Sequence, residues 1–259
     1  GSTFTIRRFR ADPLTISDLI ELKTVSSHLA AYLWYVIENR ASVLVAGSVA
    51  AGKTTMLNCL SMFIKPEMKI VSVEDTQELN LPHENWIPSV ARGGSGKRQT
   101  GDITLYDLLK AAVRQRPDYI IVGEVRGEEA YTLFQAMSTG HLGMCTIHGE
   151  SVDSAIHRLE AEPMNIPRSL LHMLDIILVQ GRTEIGGKPA RRALSVTEMV
   201  GSDPKTKELL TNDVYRWNSL ADSFSYLGRS YVLERIMRKM SLTTQEVQSE
   251  LQRRKTVLE

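Results

Sequence analysis

Five short apolar runs set the main constraint on this chain. They are Val43-Leu44-Val45-Ala46, Ile70-Val71-Ser72-Val73, Tyr119-Ile120-Ile121-Val122, Met144-Cys145-Thr146-Ile147 and Ile176-Ile177-Leu178-Val179, each followed by a polar or glycine-bearing turn and a helical stretch. Runs this short, without polar alternation, read as strands buried on both faces. The stretches between them carry a helical period. Leu105, Leu108, Leu109 and Ala112 share one face while Asp107, Lys110 and Arg114 share the other, and a second helix after Ser151 turns Ile156 and Leu159 inward. The fold class is therefore α/β, with a mainly parallel sheet and helices on both sides.

Outside the sheet, an edge strand is expected from Thr3 to Phe9, with helices near residues 16–23 and 28–39. Gly181 to Gly187, Gly201 to Pro204 and Asn212 to Ser219 read as turn-rich territory between short strands. Two helices close the chain. The last opens with a capping box, Thr243 with Glu246, and a hydrophobic staple, Leu242 against Val247. Its Arg253-Arg254-Lys255 run reads as a solvated helix end that complements the macrodipole.

The 259 residues suit one to two domains, and 42% hydrophobic with 24% charged residues is ordinary globular composition. Thirty-one basic residues against thirty acidic ones leave a formal charge of +1, which argues against a chain-wide nucleic-acid footprint. Cys59 and Cys145 lie far apart in apolar segments without a Cys/His cluster, as buried reduced thiols do. No apolar run approaches the roughly 20 residues of a membrane span. The first residues are Gly1-Ser2 rather than methionine, and further sequence is expected upstream.

Chemistry enters at Gly47-Ser48-Val49-Ala50-Ala51-Gly52-Lys53-Thr54, which fits G-x-x-x-x-G-K-[ST] at every position, with an apolar strand before it and a helical stretch after it. In such a loop backbone N–H groups face phosphate oxygens, Lys53 reaches the β- and γ-phosphates and the Thr54 hydroxyl can ligate Mg²⁺. A carboxylate is then needed for the metal or the attacking water. Glu74 with Asp75, and Glu124, each follow an apolar run. Before Glu124 stands Gly123, expected to leave room beside the phosphates, so that Glu124 polarises water or holds the metal through water. Parallel strands deliver their C-terminal ends to one rim, so Gly47, Glu74, Glu124 and His148 are expected to converge there. His141, near a turn, is an even choice between site and scaffold. Arg114, Arg116 and Arg126 flank the Glu124 strand and are candidates to neutralise phosphoryl charge. The basic loop Arg92-Gly93-Gly94-Ser95-Gly96-Lys97-Arg98 suits a phosphate, another subunit, nucleic acid or plain solvent.

In order, these motifs resemble the secretion ATPase superfamily of type II and type IV secretion and type IV pilus motors, most of all its archaeal branch. The resemblance runs from the Walker A segment Gly47–Thr55 to an aspartate box at Val71-Ser72-Val73-Glu74-Asp75. It continues through Arg114-Gln115-Arg116-Pro117-Asp118 and the Walker B segment Ile121-Val122-Gly123-Glu124-Val125-Arg126-Gly127. It ends in a histidine box from Thr139-Gly140-His141-Leu142 to Thr146-Ile147-His148. It implies a RecA-like P-loop ATPase core over 41–200, with N-terminal helices and linker over 1–40, a C-terminal strand and helix extension over 201–259, and a separate N-terminal domain upstream. Nucleotide contacts would fall on Gly47, Ser48, Ala50, Ala51, Gly52, Lys53, Thr54 and Thr55. Glu124, Glu74, His148, Arg114 and Arg126 would be catalytic, with the arginines in cis or in trans. Thr54 and Glu124, the latter through water, would hold Mg²⁺.

The implied activity is Mg-dependent ATP hydrolysis by a cytoplasmic homo-hexamer at the inner membrane face, working with a polytopic platform protein and pilin-like subunits, without nucleic acid. The four-cysteine zinc module of bacterial type II motors is absent from the sequence. Two rival readings stand beside it: a RecA-like nucleic-acid translocase, and a nucleotide-dependent binding module with little hydrolysis.

Overall fold

The computed structural model of the protein describes residue 4 and residues 12–93, 101–206 and 208–259. The expected edge strand from Thr3 to Phe9 lies outside these residues except for Phe4, and most of the basic loop after Arg92 lies outside them too. The described chain opens with helices α1 (Ile16–Glu21) and α2 (Ser27–Glu38). Strand β1 (Val43–Gly47), helix α3 (Lys53–Ser61) and strands β2 (Ile70–Glu74) and β3 (Trp86–Val90) follow. Next come α4 (Leu105–Arg114), β4 (Tyr119–Val122), α5 (Glu129–Ser138), β5 (Leu142–His148), α6 (Val152–Glu160) and α7 (Arg168–Leu171). Strands β6 (Ile176–Ile185), β7 (Lys188–Ser202), β8 (Leu209–Asn218) and β9 (Ser223–Tyr226) precede α8 (Tyr231–Met240) and α9 (Thr244–Leu258).

The strands form one sheet in the order β3-β2-β4-β5-β1-β6-β7-β8-β9. From β3 to β6 every pairing is parallel; from β6 to β9 every pairing is antiparallel. All five apolar runs are strands, as expected. Alternate residues of each serve opposite faces. Val43, Val45, Ile70, Met144, Ile176 and Leu178 join the core built with α2, α3, α8 and α9. Leu44, Ala46, Val71, Val73, Ile120, Cys145 and Ile177 join the core built with α4, α5 and α6. Both cysteines are free and buried, and burial pushes each thiol up to about 12.

Three features differ from the sequence expectation. The 181–187 and 212–219 segments are mostly strand. Gly181 lies beside a register shift in the β6–β7 ladder, and the reversal is the two-glycine turn at Gly186 and Gly187, both at positive φ. Strand β3 carries no run of apolar residues because it is the sheet's edge, where Pro88 costs no ladder bond. Finally, Arg254 is not solvated. It is 6% exposed, pairs with Glu38 and Glu250, and stacks over the Trp34 and Tyr35 rings at 4.6 and 5.1 Å. The capping box of α9 is present, so α9 is both started and anchored by local sequence.

Among the described residues no helix is long and apolar enough to cross a membrane.

Candidate functional site

The C-terminal ends of β1, β2, β4 and β5 open onto one cavity of about 670 Å³. Its floor is the loop between β1 and α3. Gly52 closes that loop at φ 93, the left-handed region that glycine reaches without strain, and it caps α3 without a side-chain hydrogen bond. The first N–H groups of α3 are thus left for a ligand, and the helix dipole favours an anion there. Lys53 lies across the loop, donating from Nζ to the Ser48 carbonyl at 3.1 Å. The same Nζ is 3.9 Å from Glu124 Oε1, with the lysine side chain 11% exposed. Burial lowers the Lys53 pKa, and the Glu124 charge partly restores it. A polyphosphate entering here would add further negative charge beside this partly buried ammonium.

Glu124 stands just past β4, 34% exposed, with Arg126 Nε 3.5 Å from its second oxygen. Arg126 also pairs with Asp75 beyond β2. The turn carrying Arg126 is held by Glu129, whose Oε1 accepts the N–H groups of Arg126 and Gly127 at 2.6 and 2.7 Å. Thr146 on β5 donates to the Gly123 carbonyl at 2.7 Å and accepts, through its own carbonyl, the Val125 N–H. These bonds fix the Glu124 backbone from both sides. His148 is the β5 partner of Gly47 in the β1–β5 register and lines the cavity.

Glu74 is 2% exposed. Its Oε1 accepts the N–H groups of Glu78 and Leu79 at 2.9 and 3.1 Å, which organises the turn after β2. Its Oε2 is buried without a hydrogen-bond partner among the described residues. Burial raises the Glu74 pKa against the lowering effect of those two N–H donors. A Cβ on Gly123 would sit 3.1 Å from Glu74 Cγ, so the glycine makes room for this glutamate.

Lys53, Thr54, Thr55, Ala50, Gly52, Glu74, Glu124, Arg126 and His148 all line the cavity. Gly47 and Ser48 belong to the loop's entry, and Ala51 is buried beneath it. Arg114 is not brought in. It ends α4 at the opposite edge of the sheet, where β4 begins, and is exposed. His141 is there as well, with Nδ1 2.8 Å from the Pro117 carbonyl, so the geometry gives it a scaffold position. Among the described residues no cluster of three His, Cys, Asp or Glu could hold a metal by itself. A hydroxyl such as that of Thr54, one nearby carboxylate and the ligand's own phosphates are the donor set Mg²⁺ ordinarily takes in such loops, and the residues present fit it.

Sequence reading missed the far wall. Leu14, Leu19 and Leu22 from the α1 segment line it together with Pro189, Ala190, Arg191 and Arg192 of β7. Arg191 Nε donates to the Ala50 carbonyl at 3.1 Å, from 141 positions away. Arg192, 4% exposed, forks onto Asp222 at 2.7 and 2.9 Å and donates to the Leu22 carbonyl at 3.2 Å. The one linear signal was the Arg191-Arg192 pair itself, and nothing local reveals that a C-terminal hairpin folds back onto the loop.

A parallel sheet with a lysine-bearing loop after β1, and carboxylates after the two strands beyond it, defines a P-loop protein of the RecA-like type. The chain belongs to the family described as Type II/IV secretion system protein, whose pattern it matches over residues 1–252. It is 51% identical over 238 residues to an uncharacterized protein of Methanocaldococcus jannaschii, covering 92% of this chain and 88% of that one. With a second uncharacterized protein of that organism it shares 40% identity over 263 residues, all of this chain and 47% of the relative. It is also 32% identical over 193 residues to a probable conjugal transfer protein TrbB of Sinorhizobium fredii, 71% of this chain and 57% of that protein. The VirB11 ATPase of the Brucella suis type IV secretion system superposes with a TM-score of 0.55 at 23% identity, over 78% of this chain and 62% of that one. The pilus retraction motor PilT, solved with bound ADP, gives 0.55 at 23% over 95% and 61%. At these identities the two structures establish the shared fold. The chain spans about half the length of the second Methanocaldococcus relative.

Proposed function

We propose that this chain is an Mg²⁺-dependent ATPase motor domain, working as a homo-hexamer at the cytoplasmic membrane face to drive assembly or secretion of pilin-like filament subunits with a polytopic platform protein. The observation that carries the reading is the convergence of Lys53, Glu124, Glu74 and His148 on one cavity floored by an uncapped helix start. Membership of the secretion family and the names of the relatives, a pilus retraction motor and a conjugal transfer protein among them, support a motor that serves a secretion or pilus system.

In this reading the loop N–H groups and Lys53 bind the β- and γ-phosphates. Glu124 accepts the proton of the water that attacks the γ-phosphorus, as the bond to the ADP oxygen breaks. Lys53 already neighbours Glu124 in the structure. As ATP enters, its γ-phosphate would draw the ammonium away and leave the carboxylate to the water. His148, on the β5 rim, contacts or senses the γ-phosphate. Thr54 and, through water, Glu124 would hold Mg²⁺, which would supply positive charge to offset that of the phosphate oxygens.

The test is ATP turnover with and without Mg²⁺, beside Lys53→Ala and Glu124→Gln. The reading expects both variants to fall roughly 100-fold or more, with Glu124→Gln still binding ATP. Wild-type turnover in Glu124→Gln would sink it.

A further inference from the structure

Arg191 is a charged cavity residue that none of the four motifs accounts for. It comes from β7, in the antiparallel half of the sheet, yet its Nε bonds the Ala50 carbonyl at 3.1 Å. Ala50 stands at φ 60, a conformation that costs a non-glycine residue and persists where its surroundings hold it. The arginine's Cδ lies 3.1 Å from where a Cβ on Gly52 would be, so its aliphatic stem rests on the loop's left-handed glycine. Directly across the hairpin, Arg182 pairs with Arg191 in the β6–β7 register. Like charges placed opposite each other are unfavourable, and among the described residues neither guanidinium has an acidic partner within ion-pair distance. From behind, Arg192 donates to the Arg191 carbonyl at 2.9 Å and is itself locked to Asp222. The strand carrying Arg191 is therefore anchored, and its cationic head is directed at the rim of the loop without an acidic partner among the described residues.

We propose that Arg191 is a positioning residue for the phosphate loop: it holds the 50–52 backbone in its anion-binding shape and adds a cation at the rim where the loop meets the α1 wall. The antiparallel extension thereby grips the loop, and nucleotide phosphates complete the charge balance of the hairpin. This rests on the nucleotide reading of the cavity.

The test measures binding of a fluorescent ADP analogue with Mg²⁺, and KM and kcat for ATP, in wild type and variants. Arg191→Met keeps the stem over Gly52 and removes the donor and the charge. It is expected to weaken ADP binding and raise KM about tenfold, the scale of one charged hydrogen bond. Meanwhile kcat at saturation should stay within about twofold, because the interaction lost is made in ground and transition states alike. Arg191→Lys should recover part of the affinity, since it restores the charge but not the planar fork. Arg182→Met removes the same charge from the same hairpin outside the cavity and should leave ADP binding within about twofold. Wild-type affinity in Arg191→Met would overturn the proposal, as would an equal loss in Arg182→Met or a loss that merely tracks a lower Tm. Lys53→Ala separates the layers: its failure to weaken ADP binding would remove the nucleotide reading, and this inference with it.

Discussion

At the residue scale, Glu74 shows where sequence succeeds and where it stops. Its place after an apolar run announced a carboxylate on the rim, which is where it lies. Burial was not legible, because it depends on Gly123 of β4's exit and on the turn through Leu79, both brought in by the sheet. The geometry gives Glu74 Oε1 the turn to hold and leaves Oε2 without a partner among the described residues. Glu74→Gln keeps an acceptor for the Glu78 and Leu79 N–H groups while removing the charge. Turnover should fall roughly 10- to 100-fold, the usual loss when a supporting group around a metal or water is altered, with the fold intact. A carboxyl whose folded pKa is raised favours folding below the unfolded value and loses that contribution as pH rises through the folded value. The Gln variant should therefore match wild type in acid and exceed it in Tm as pH climbs past the raised value. Undiminished turnover in Glu74→Gln would leave Glu74 as a turn-former alone.

At the scale of elements, the parallel half was read well because each of its strands is buried on both faces and shows as a continuous apolar run. In the antiparallel half only short strands between turn-rich segments were expected. There, Asn212 and Asp213 look like turn residues in the sequence but spend their side chains across strands, on Glu198 and Thr197. The same region supplies the Arg192–Asp222 clasp, which joins the hairpin to the Leu22 carbonyl at the end of α1. Arg192 pulls Asp222 down to about 2. A depressed carboxylate stabilises the fold above its unfolded pKa and gives that up as pH falls through the folded value. Asp222→Asn should therefore cost about 2–3 kcal/mol at neutral pH, somewhat less than a fully buried pair because the aspartate is partly exposed. The deficit should shrink as pH drops from about 4 towards 2. Urea unfolding of both proteins at several pH values checks this; a deficit that stays constant down to pH 2 would mean the charge on Asp222 is not what matters.

At the scale of the whole molecule, Arg114 poses a geometric question that one subunit cannot answer. Four residues of β4 separate its end of the sheet from the Glu124 end, roughly 13 Å at the usual rise per residue. An arginine there cannot reach the phosphates bound by its own loop, and the cationic groups beside its own Glu124 are already Lys53 and Arg126. If Arg114 acts on phosphate at all, it acts on the nucleotide of a neighbouring copy, as ring ATPases allow. Sequence spacing placed it close to the Walker B strand and so suggested proximity; direction along the strand, a property of the assembled sheet, decides otherwise. The prediction is a complementation. Arg114→Ala keeps its own loop and Glu124 but deprives its neighbour, whereas Glu124→Gln kills its own site and still offers Arg114. Each alone should be roughly 1,000-fold down, the lower end of the range for a lost trans arginine. If the chain assembles as proposed, the two mixed in equal amounts at a concentration that supports association should regain a substantial part of wild-type turnover, because a mixed assembly would pair an intact site with an intact arginine. The regained activity should vanish on dilution, and specific activity of the wild type should fall over the same concentration range. Full activity in Arg114→Ala alone would remove the residue from the reaction, and an inactive variant that no mixture rescues would return Arg114 to the stability of α4.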